Sequence, residues 1–205
     1  SAIVKTILSV GSGSGRSLQR YMRNGITVIG IEPSDRQTNV SRNLGIDTLT
    51  SYLTETAVEK ILSKYGQVDL ILVDNFTKMP HPAHISNVED PLEYAKNLSR
   101  LVKPNGCVYL RVPYIGSILA FGLVDYVYHE HQSYFSLDSL ENLFSRFGLH
   151  VVRAEVPNKD EYNATYYFCK RRATDAEYKP IEEIVEVEKV LQLREISAYK
   201  SFKRE

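Results

Sequence analysis

The segment 126–136 carries the densest group of reactive side chains in the chain. Three tyrosines, two histidines and a glutamate fall within nine residues of it, and they are Tyr126, Tyr128, His129, Glu130, His131 and Tyr134. Histidine changes charge near neutral pH and can therefore remove a proton, and an adjacent carboxylate can fix its tautomer or stabilise its charged form. The residue types and their spacing predict a catalytic segment.

The same segment allows two other interpretations. His129 and His131 have the His-x-His spacing of metal ligands, but a metal site needs a third or fourth protein ligand. The other histidines, His81, His84 and His150, form no comparable cluster, so we predict no metal. The side chains could also be buried and hydrogen-bonded without any catalytic role, and this alternative stays open at this stage.

A second candidate site lies near the start of the chain. The apolar run that ends at Val10 is followed by a glycine-rich turn, Gly11-Ser12-Gly13-Ser14-Gly15, and then by a helical segment. Such a turn leaves backbone N–H groups at a helix N-terminus, and its glycines have no Cβ that would keep a ligand away. Glu32 closes the next apolar run, where a carboxylate can accept both hydrogen bonds of a ribose diol. Together these residues predict a nucleotide site.

The spacing of the glycines separates two classes of cofactor. A dinucleotide fingerprint reads G-x-G-x-x-G, whereas here the third glycine comes one residue early and Arg16 occupies the sixth position. Asp74 and Asn75 follow the apolar run 68–73. In a parallel sheet they would lie at the same edge as the glycine turn and Glu32.

Composition restricts the possible function classes. The chain has 205 residues, of which 43% are apolar and 24% charged, so it can bury a sizeable core. Its formal net charge is zero, which gives no general attraction to nucleic acid. No apolar run approaches the roughly 18 residues that a membrane span needs. Cys107 and Cys169 fall in strand-like segments and fit reduced core thiols, which favours a cytoplasmic location.

Strand-like and helix-like segments alternate along most of the chain, as expected of a doubly wound parallel sheet. The predicted strands are 3–10, 27–31, 47–50, 68–73, 107–112, 149–156 and 164–169, with a turn at 103–106. The predicted helices are 16–23, 33–45, 54–66, 90–102, 116–127 and 137–147. We assign residues 1–172 to one domain. Residues 173–205 form a C-terminal segment whose part 181–203 is predicted as an amphipathic helix. This helix is docked on the domain or on a further domain of a longer chain, or it is a solvated linker.

The glycine turn with Glu32 resembles motif I of the class I methyltransferases that depend on S-adenosylmethionine. A closer resemblance, covering most of residues 3–170, is to the C-methyltransferases that methylate a carbon of nucleotide-linked keto-deoxysugars. It rests on the stretches Val112-Pro113-Tyr114, Tyr128-His129-Glu130-His131-Gln132-Ser133-Tyr134-Phe135-Ser136-Leu137, Thr54-Glu55-Thr56-Ala57 and Asp90-Pro91-Leu92-Glu93-Tyr94. The resemblance implies a Rossmann-like, mostly parallel seven-stranded sheet, closed by a hairpin of its last two strands.

The resemblance also implies roles for individual residues. His131 would be the general base that takes the proton from the sugar carbon beside the keto group, Glu130 and Tyr128 would orient it and the substrate, and His129 is the competing base. S-adenosylmethionine would be held by Gly11, Gly13, Gly15 and Glu32, with Asp74 and Asn75 near its methionine end. The expected substrate is a small molecule, a nucleotide-linked sugar.

The chain departs from this family in several places. Ser9 and Val10 stand where the family has an acid at the end of the first strand, and either His81 or His84 could match the family's histidine after the fourth strand. Asn163-Ala164-Thr165 replaces a Gly-Gly-Ser run. The family's N-terminal zinc segment and second α/β domain would be flanking domains of a longer chain. Three functions stay open: C-methylation of an activated sugar, O- or N-methylation of a small molecule, and a methyltransferase-like domain with weak or no activity.

Overall fold

The described residues form one mixed β-sheet. The computed structural model describes residues 4–73, 84–123, 127, 131–155, 163–170, 184, 186 and 188–190. Within them the sheet has seven strands in the order β3-β2-β1-β4-β5-β7-β6. The strands are β1 (Thr6–Val10), β2 (Thr27–Glu32), β3 (Asp47–Thr50), β4 (Val68–Val73), β5 (Val102–Pro113), β6 (His150–Glu155) and β7 (Asn163–Cys169).

The strands from β3 to β5 are parallel neighbours, and β7 runs antiparallel to both β5 and β6. The chain moves outward from β1 to β3 and returns to β4 on the other side of β1, so the strand order reverses there. Because parallel crossovers are right-handed, the reversal sends the connecting helices to opposite faces of the sheet. The predicted doubly wound, mostly parallel sheet with a closing hairpin is confirmed.

Most helices begin where a polar side chain can accept a hydrogen bond from the first turn. Ser34, Thr54 and Ser136 accept from the backbone N–H three residues later, and Asp90 accepts from two N–H groups, with Pro91 at the first helical position. The α-helices among the described residues are α1 (Gln19–Met22), α2 (Asp35–Asn43), α3 (Glu55–Tyr65), α4 (Pro91–Leu101), α5 (Ile115–Ala120) and α6 (Leu137–Ser145). In this part of the chain, no helix is long and apolar enough to cross a bilayer.

The core lies on both faces of the sheet. Successive residues of a strand face opposite ways, so Leu8 belongs to the larger apolar cluster and Ile7 to the smaller one. The larger cluster joins the sheet to α3, α4 and α6. Phe144 of α6 stacks on Phe168 of β7, with 4.2 Å between ring centroids. This stack fastens α6 to the closing hairpin.

Two segments differ from the expectation. The residues predicted as a turn at 103–106 lie inside β5, where the β4–β5 register shifts between Val68 and Leu70 to accommodate the extra residues. The helix predicted at 116–127 begins at Ile115 and ends at Ala120, and Gly122 then adopts a φ of 62°. Glycine takes this conformation readily, which makes it a common residue just after a helix.

The two cysteines lie opposite each other in neighbouring strands. Cys107 of β5 and Cys169 of β7 are partners in the antiparallel register. Both are half-buried, so they lie at the margin of the core, and the strands that carry them are as predicted.

The described part of the C-terminal segment packs against the domain. Ile184, Glu186 and residues 188–190 are helical, and Ile184 is a buried member of the larger apolar cluster. Its burial favours the docked alternative over a solvated linker at this position. The proposed boundary at residue 172 stays a prediction.

We expect Phe144→Ala to lower the free energy of unfolding by about 3–5 kcal/mol, because it removes a fully buried ring from the stack on Phe168. The matched control is Phe121→Ala, whose ring is 52% exposed, with an expected change within about 0.5 kcal/mol. Urea unfolding followed by far-ultraviolet circular dichroism measures both. Equal losses in the two variants would contradict the importance of the stack.

Candidate functional site

The candidate site lies at the carboxyl edge of the parallel strands, beside the point where the strand order reverses. β1, β2, β4 and β5 all end at this edge, and β1 stands between β2 and β4. Ligands of open α/β sheets bind in the crevice outside such strand ends. The fold therefore brings the loops after these strands to one place.

The turn after β1 is held against the end of β2. The backbone N–H groups of Gly11 and Ser12 both donate to the Ile31 carbonyl oxygen, at 2.8 and 3.0 Å. Gly11, Gly13 and Gly15 have φ angles of 70°, 54° and 73°. Side chains other than glycine rarely adopt such angles, so the turn depends on glycine at each of these positions.

Gly13 and Gly15 have different surroundings. A Cβ on Gly15 would lie 2.6 Å from both Ile46 Cδ1 and Ser41 Oγ, so glycine is needed there for packing against α2 and against Ile46, which precedes β3. A Cβ on Gly13 would meet no heavy atom within 4 Å. Gly13 therefore presents a bare, open piece of backbone, which a bound molecule can approach closely.

Glu32 lies directly against the turn. Its carboxylate accepts hydrogen bonds from the Gly13 N–H and the Ser34 N–H, each at 2.9 Å. The residue is only 1% exposed, and a buried carboxylate needs such donors because desolvation disfavours its charge. The sequence placed Glu32 beside a ligand, and the structure adds that it orders the glycine turn and the N-cap of α2.

The end of β1 carries no charge. Ser9 and Val10 are both buried in the sheet, where Ser9 is the register partner of Gly30 in β2 and of Leu72 in β4. The family's acid at this place is therefore not replaced by another charge from β1.

The segment that carries His131 is bound to the loop that follows β4. The backbone N–H groups of Gln132 and Ser133 donate to the Ser86 carbonyl oxygen, at 2.8 and 3.1 Å. Ser86 belongs to the 3₁₀ turn Ile85–Asn87, which follows β4 in the chain. These bonds hold the segment on the carboxyl side of the sheet.

The same segment also pairs with the end of β5. Phe135 forms an isolated parallel bridge with Tyr114, and the Ile115 N–H donates to the Phe135 carbonyl oxygen at 3.1 Å. His131 is 8% exposed, and its ring meets the Tyr134 ring edge-on, with 5.5 Å between centroids. His131 thus lies at the same edge of the sheet as the glycine turn.

His84 has a structural position. Its Nε2 lies 2.5 Å from the Arg111 carbonyl oxygen of β5, and its Nδ1 accepts from the Ser86 N–H at 3.4 Å. Both ring nitrogens are thus engaged with backbone groups, which fits an Nε2-protonated ring that fastens the 3₁₀ turn to β5. A catalytic role for His84 would require these bonds to break.

Several residues singled out in the sequence lie outside the described residues. They are Asp74, Asn75, His81, Tyr128, His129 and Glu130. Their assigned roles stay predictions. Among the residues that the structure does describe, no group of three or more histidine, cysteine, aspartate or glutamate side chains could hold a metal ion.

Sequence reasoning missed two contributors to this edge. Ser86 acts through its backbone carbonyl, which no side-chain pattern reveals. Glu188, from the C-terminal segment, accepts a hydrogen bond from the Leu137 N–H at 2.6 Å. Glu188 follows Ile184 by four residues, so the two share one helix face. This spacing is the sequence signal that Glu188 lies on the same side of the helix as an apolar residue.

The sheet order, the glycine turn and its acid together define a class I methyltransferase fold. Residues 4–154 match the family described as "Methyltransferase domain". The chain therefore belongs to this family of S-adenosylmethionine-dependent methyltransferases.

Three proteins illustrate the similarity. The chain is 30% identical to the C-methyltransferase NovU of Streptomyces niveus over 175 residues, which cover 85% of this chain and 39% of NovU. It is 31% identical over 107 residues to the mitochondrial ubiquinone biosynthesis O-methyltransferase of Arabidopsis thaliana, covering 50% and 30% of the two chains. An S-adenosylmethionine-dependent methyltransferase from Archaeoglobus fulgidus superposes with a TM-score of 0.60 at 13% identity, covering 80% and 86%. The chain spans less than half the length of either of the first two.

The described residues fit S-adenosylmethionine. The open backbone at Gly13 leaves room for a nucleoside, and the Glu32 carboxylate stands 2.9 Å from that backbone. A carboxylate accepts about four hydrogen bonds, so one acid can hold both a turn and a ribose diol. The cofactor class is therefore consistent with the local chemistry as well as with the fold.

We expect Gly15→Ala to destabilise the protein more than Gly25→Ala, by about 1–3 kcal/mol, because only Gly15 lacks room for a Cβ. The two glycines have nearly equal φ angles, 73° and 72°, so the backbone strain of about 1–2 kcal/mol is shared. Urea unfolding of both variants measures the difference. Equal free energies of unfolding would show that the Ile46 and Ser41 side chains move aside without destabilising the protein.

Proposed function

We propose that this domain transfers the methyl group of S-adenosylmethionine to a carbon of a nucleotide-linked keto-deoxysugar, with His131 as the general base. The observation that carries the proposal is the placement of the His131 segment. Hydrogen bonds to Ser86 and Ile115 hold it at the sheet edge where the Gly11–Gly15 turn lies. A base and a methyl donor that act on one substrate must share that edge.

The chemistry requires a base of this kind. S-adenosylmethionine, when bound, supplies an electrophilic methyl group. A sugar carbon beside a keto group becomes a nucleophile only when its proton is removed, and the electron pair is then shared with the keto oxygen. In our proposal the His131 imidazole takes this proton, while Tyr128 and Glu130 orient the ring and the substrate.

Binding of the cofactor is assigned to the other half of the edge. Gly11, Gly13 and Gly15 present bare backbone, and Glu32 accepts hydrogen bonds from the ribose hydroxyl groups. Asp74 and Asn75, which follow β4 in the chain, would lie near the methionine end. A substrate-binding role for flanking domains of a longer protein is part of the same proposal.

Two features support carbon as the methyl acceptor. The run from Tyr128 to Leu137 resembles the signature of the sugar C-methyltransferases, and the relative NovU is described as a C-methyltransferase. The zero net charge of the chain also fits a small-molecule substrate rather than nucleic acid.

O-methylation of a small molecule is the second candidate. It is favoured by the similarity of 107 residues to a ubiquinone biosynthesis O-methyltransferase. An O-methyltransferase activates a hydroxyl group and has no reason to break a C–H bond. Exchange of that C–H bond with solvent therefore discriminates between the two candidates.

We expect Glu32→Ala to weaken binding of S-adenosylhomocysteine by one to two decades, which corresponds to about 1.5–3 kcal/mol for a lost pair of charge-assisted hydrogen bonds. The matched control is Asp35→Ala, an exposed acid three residues further on, for which affinity should change by a few-fold at most. Titration calorimetry on folded protein gives both constants. Unchanged affinity in Glu32→Ala would remove Glu32 from the cofactor site.

We expect His131→Ala to lower turnover by about 10²–10⁴-fold, the usual contribution of a positioned general base, and to leave affinity for S-adenosylhomocysteine within a few-fold. The assay uses the natural full-length protein and a keto-sugar nucleotide. The matched control is His150→Ala. His150 is the first residue of β6, on the opposite edge of the sheet, where its ring forms a hydrogen bond with Glu141.

A second measurement does not depend on methyl transfer. In D₂O with S-adenosylhomocysteine, the wild-type protein should exchange the C–H beside the keto group for deuterium, and His131→Ala should not. His129→Ala should have a milder effect than His131→Ala. Full turnover in His131→Ala would make His129 the candidate base, and turnover without any exchange in the wild type would favour O-methylation.

A further inference from the structure

A buried carboxylate from the C-terminal segment lies at the start of α6. Glu188 is 7% exposed, and its Oε1 accepts from the Leu137 N–H at 2.6 Å. Leu137 is the first residue of α6, where backbone N–H groups have no partner within the helix and a negative charge is favoured. Glu188 thus completes the N-terminus of α6 beside the Ser136 cap.

The Glu188 carboxyl group is buried beside other polar groups. Burial raises the pKa of its carboxyl group, against the backbone N–H donors of Leu137 and Asp138, which lower it. Burial and the neighbouring Glu188 carboxylate raise the pKa of Tyr114, which is fully buried. Burial, and to a smaller extent the same carboxylate, also raises the pKa of the buried Tyr166. Burial of a carboxylate costs desolvation free energy unless hydrogen bonds replace its lost water.

Glu188 is connected to the segment that carries His131 on two sides. Leu137 follows that segment directly in the chain, and Tyr114 forms the parallel bridge with Phe135. A Cβ on Gly116 would lie 2.6 Å from the Tyr114 hydroxyl oxygen, so the buried tyrosine ring packs directly on the backbone of Gly116. Ile184, four residues before Glu188, adds an apolar anchor in the larger core cluster.

We propose that Glu188 is a positioning residue, which fixes the segment 131–136 by binding the start of α6 beside Tyr114. The C-terminal segment is then a working part of the methyltransferase domain. The consequence for catalysis rests on the proposed role of His131, whereas the ordering of the segment does not.

Amide hydrogen exchange, followed by nuclear magnetic resonance on the ¹⁵N-labelled chain, tests the ordering. In Glu188→Ala the Gln132 and Ser133 amides, which donate to Ser86, should exchange at least tenfold faster, while the amides of β1 and β2 keep their rates. Glu188→Gln keeps an oxygen acceptor for the Leu137 N–H and should restore slow exchange. The matched control is Glu186→Ala, an exposed acid of the same segment that pairs with Lys189, with no expected change.

Two further readouts separate positioning from general stability. The imidazole signals of His131 should shift in Glu188→Ala and return in Glu188→Gln, and affinity for S-adenosylhomocysteine should stay within a few-fold. Unchanged exchange at Gln132 and Ser133 overturns the proposal, and so does an equal acceleration in all strands. Should Glu188→Ala not fold, Glu188→Asp decides by the same readout, because it keeps the charge and withdraws the acceptor by one methylene.

These outcomes are independent of turnover. If His131→Ala retains full activity, the proposed base is wrong while the exchange result for Glu188 still holds. If the exchange rates of the Gln132 and Ser133 amides do not change in Glu188→Ala, the positioning role is wrong while the assignment of His131 is unaffected.

Discussion

The burial of the Glu32 carboxylate is the constraint on which the cofactor half of the site depends. A charged group with 1% exposure is tolerated only where donors replace its lost water, and here the donors are the N–H groups of Gly13 and Ser34. The first belongs to the glycine turn and the second to the N-cap of α2. One acid therefore sets the shape of the turn and the start of the following helix, and both depend on β2 ending where it does.

The other half of the edge is built from backbone groups rather than from charge. The Ser86 carbonyl accepts from two amides of the His131 segment, and His84 ties the same turn to β5. Carbonyl oxygens have two lone pairs, so one such group can order two neighbouring residues. Beyond this, Tyr114 and Glu188 close the network with buried polar groups from two distant parts of the chain. The site is thus ordered by hydrogen bonds that cross between loops, on a sheet held together by apolar packing.

The two candidate methyl acceptors place different demands on this edge. Carbon requires a base that removes a C–H proton beside the keto group, whereas oxygen requires only the removal of a hydroxyl proton. In our proposal the histidines and the glutamate of the segment 126–136 meet the first demand. The similarity to the C-methyltransferase NovU covers 85% of this chain and 39% of NovU, and our proposal assigns further substrate contacts to segments outside the matched region.

The sequence by itself determined the order and type of nearly all the elements. The strand 68–73 was recognised by its apolar run, and α3 and α4 were recognised by their caps at Thr54 and Asp90, because these signals are local. The glycine turn and Glu32 were recognised in the same way. Only the tertiary structure decided that residues 103–106 are part of β5, because β4 pairs with Val102 before them and with Cys107 after them. It also decided that Glu32 binds the turn, that His84 binds Arg111, and that Glu188 reaches Leu137 from 51 residues away. Such contacts join loops that are far apart in the sequence and come together at one edge of the sheet. A local pattern of side chains therefore does not predict them.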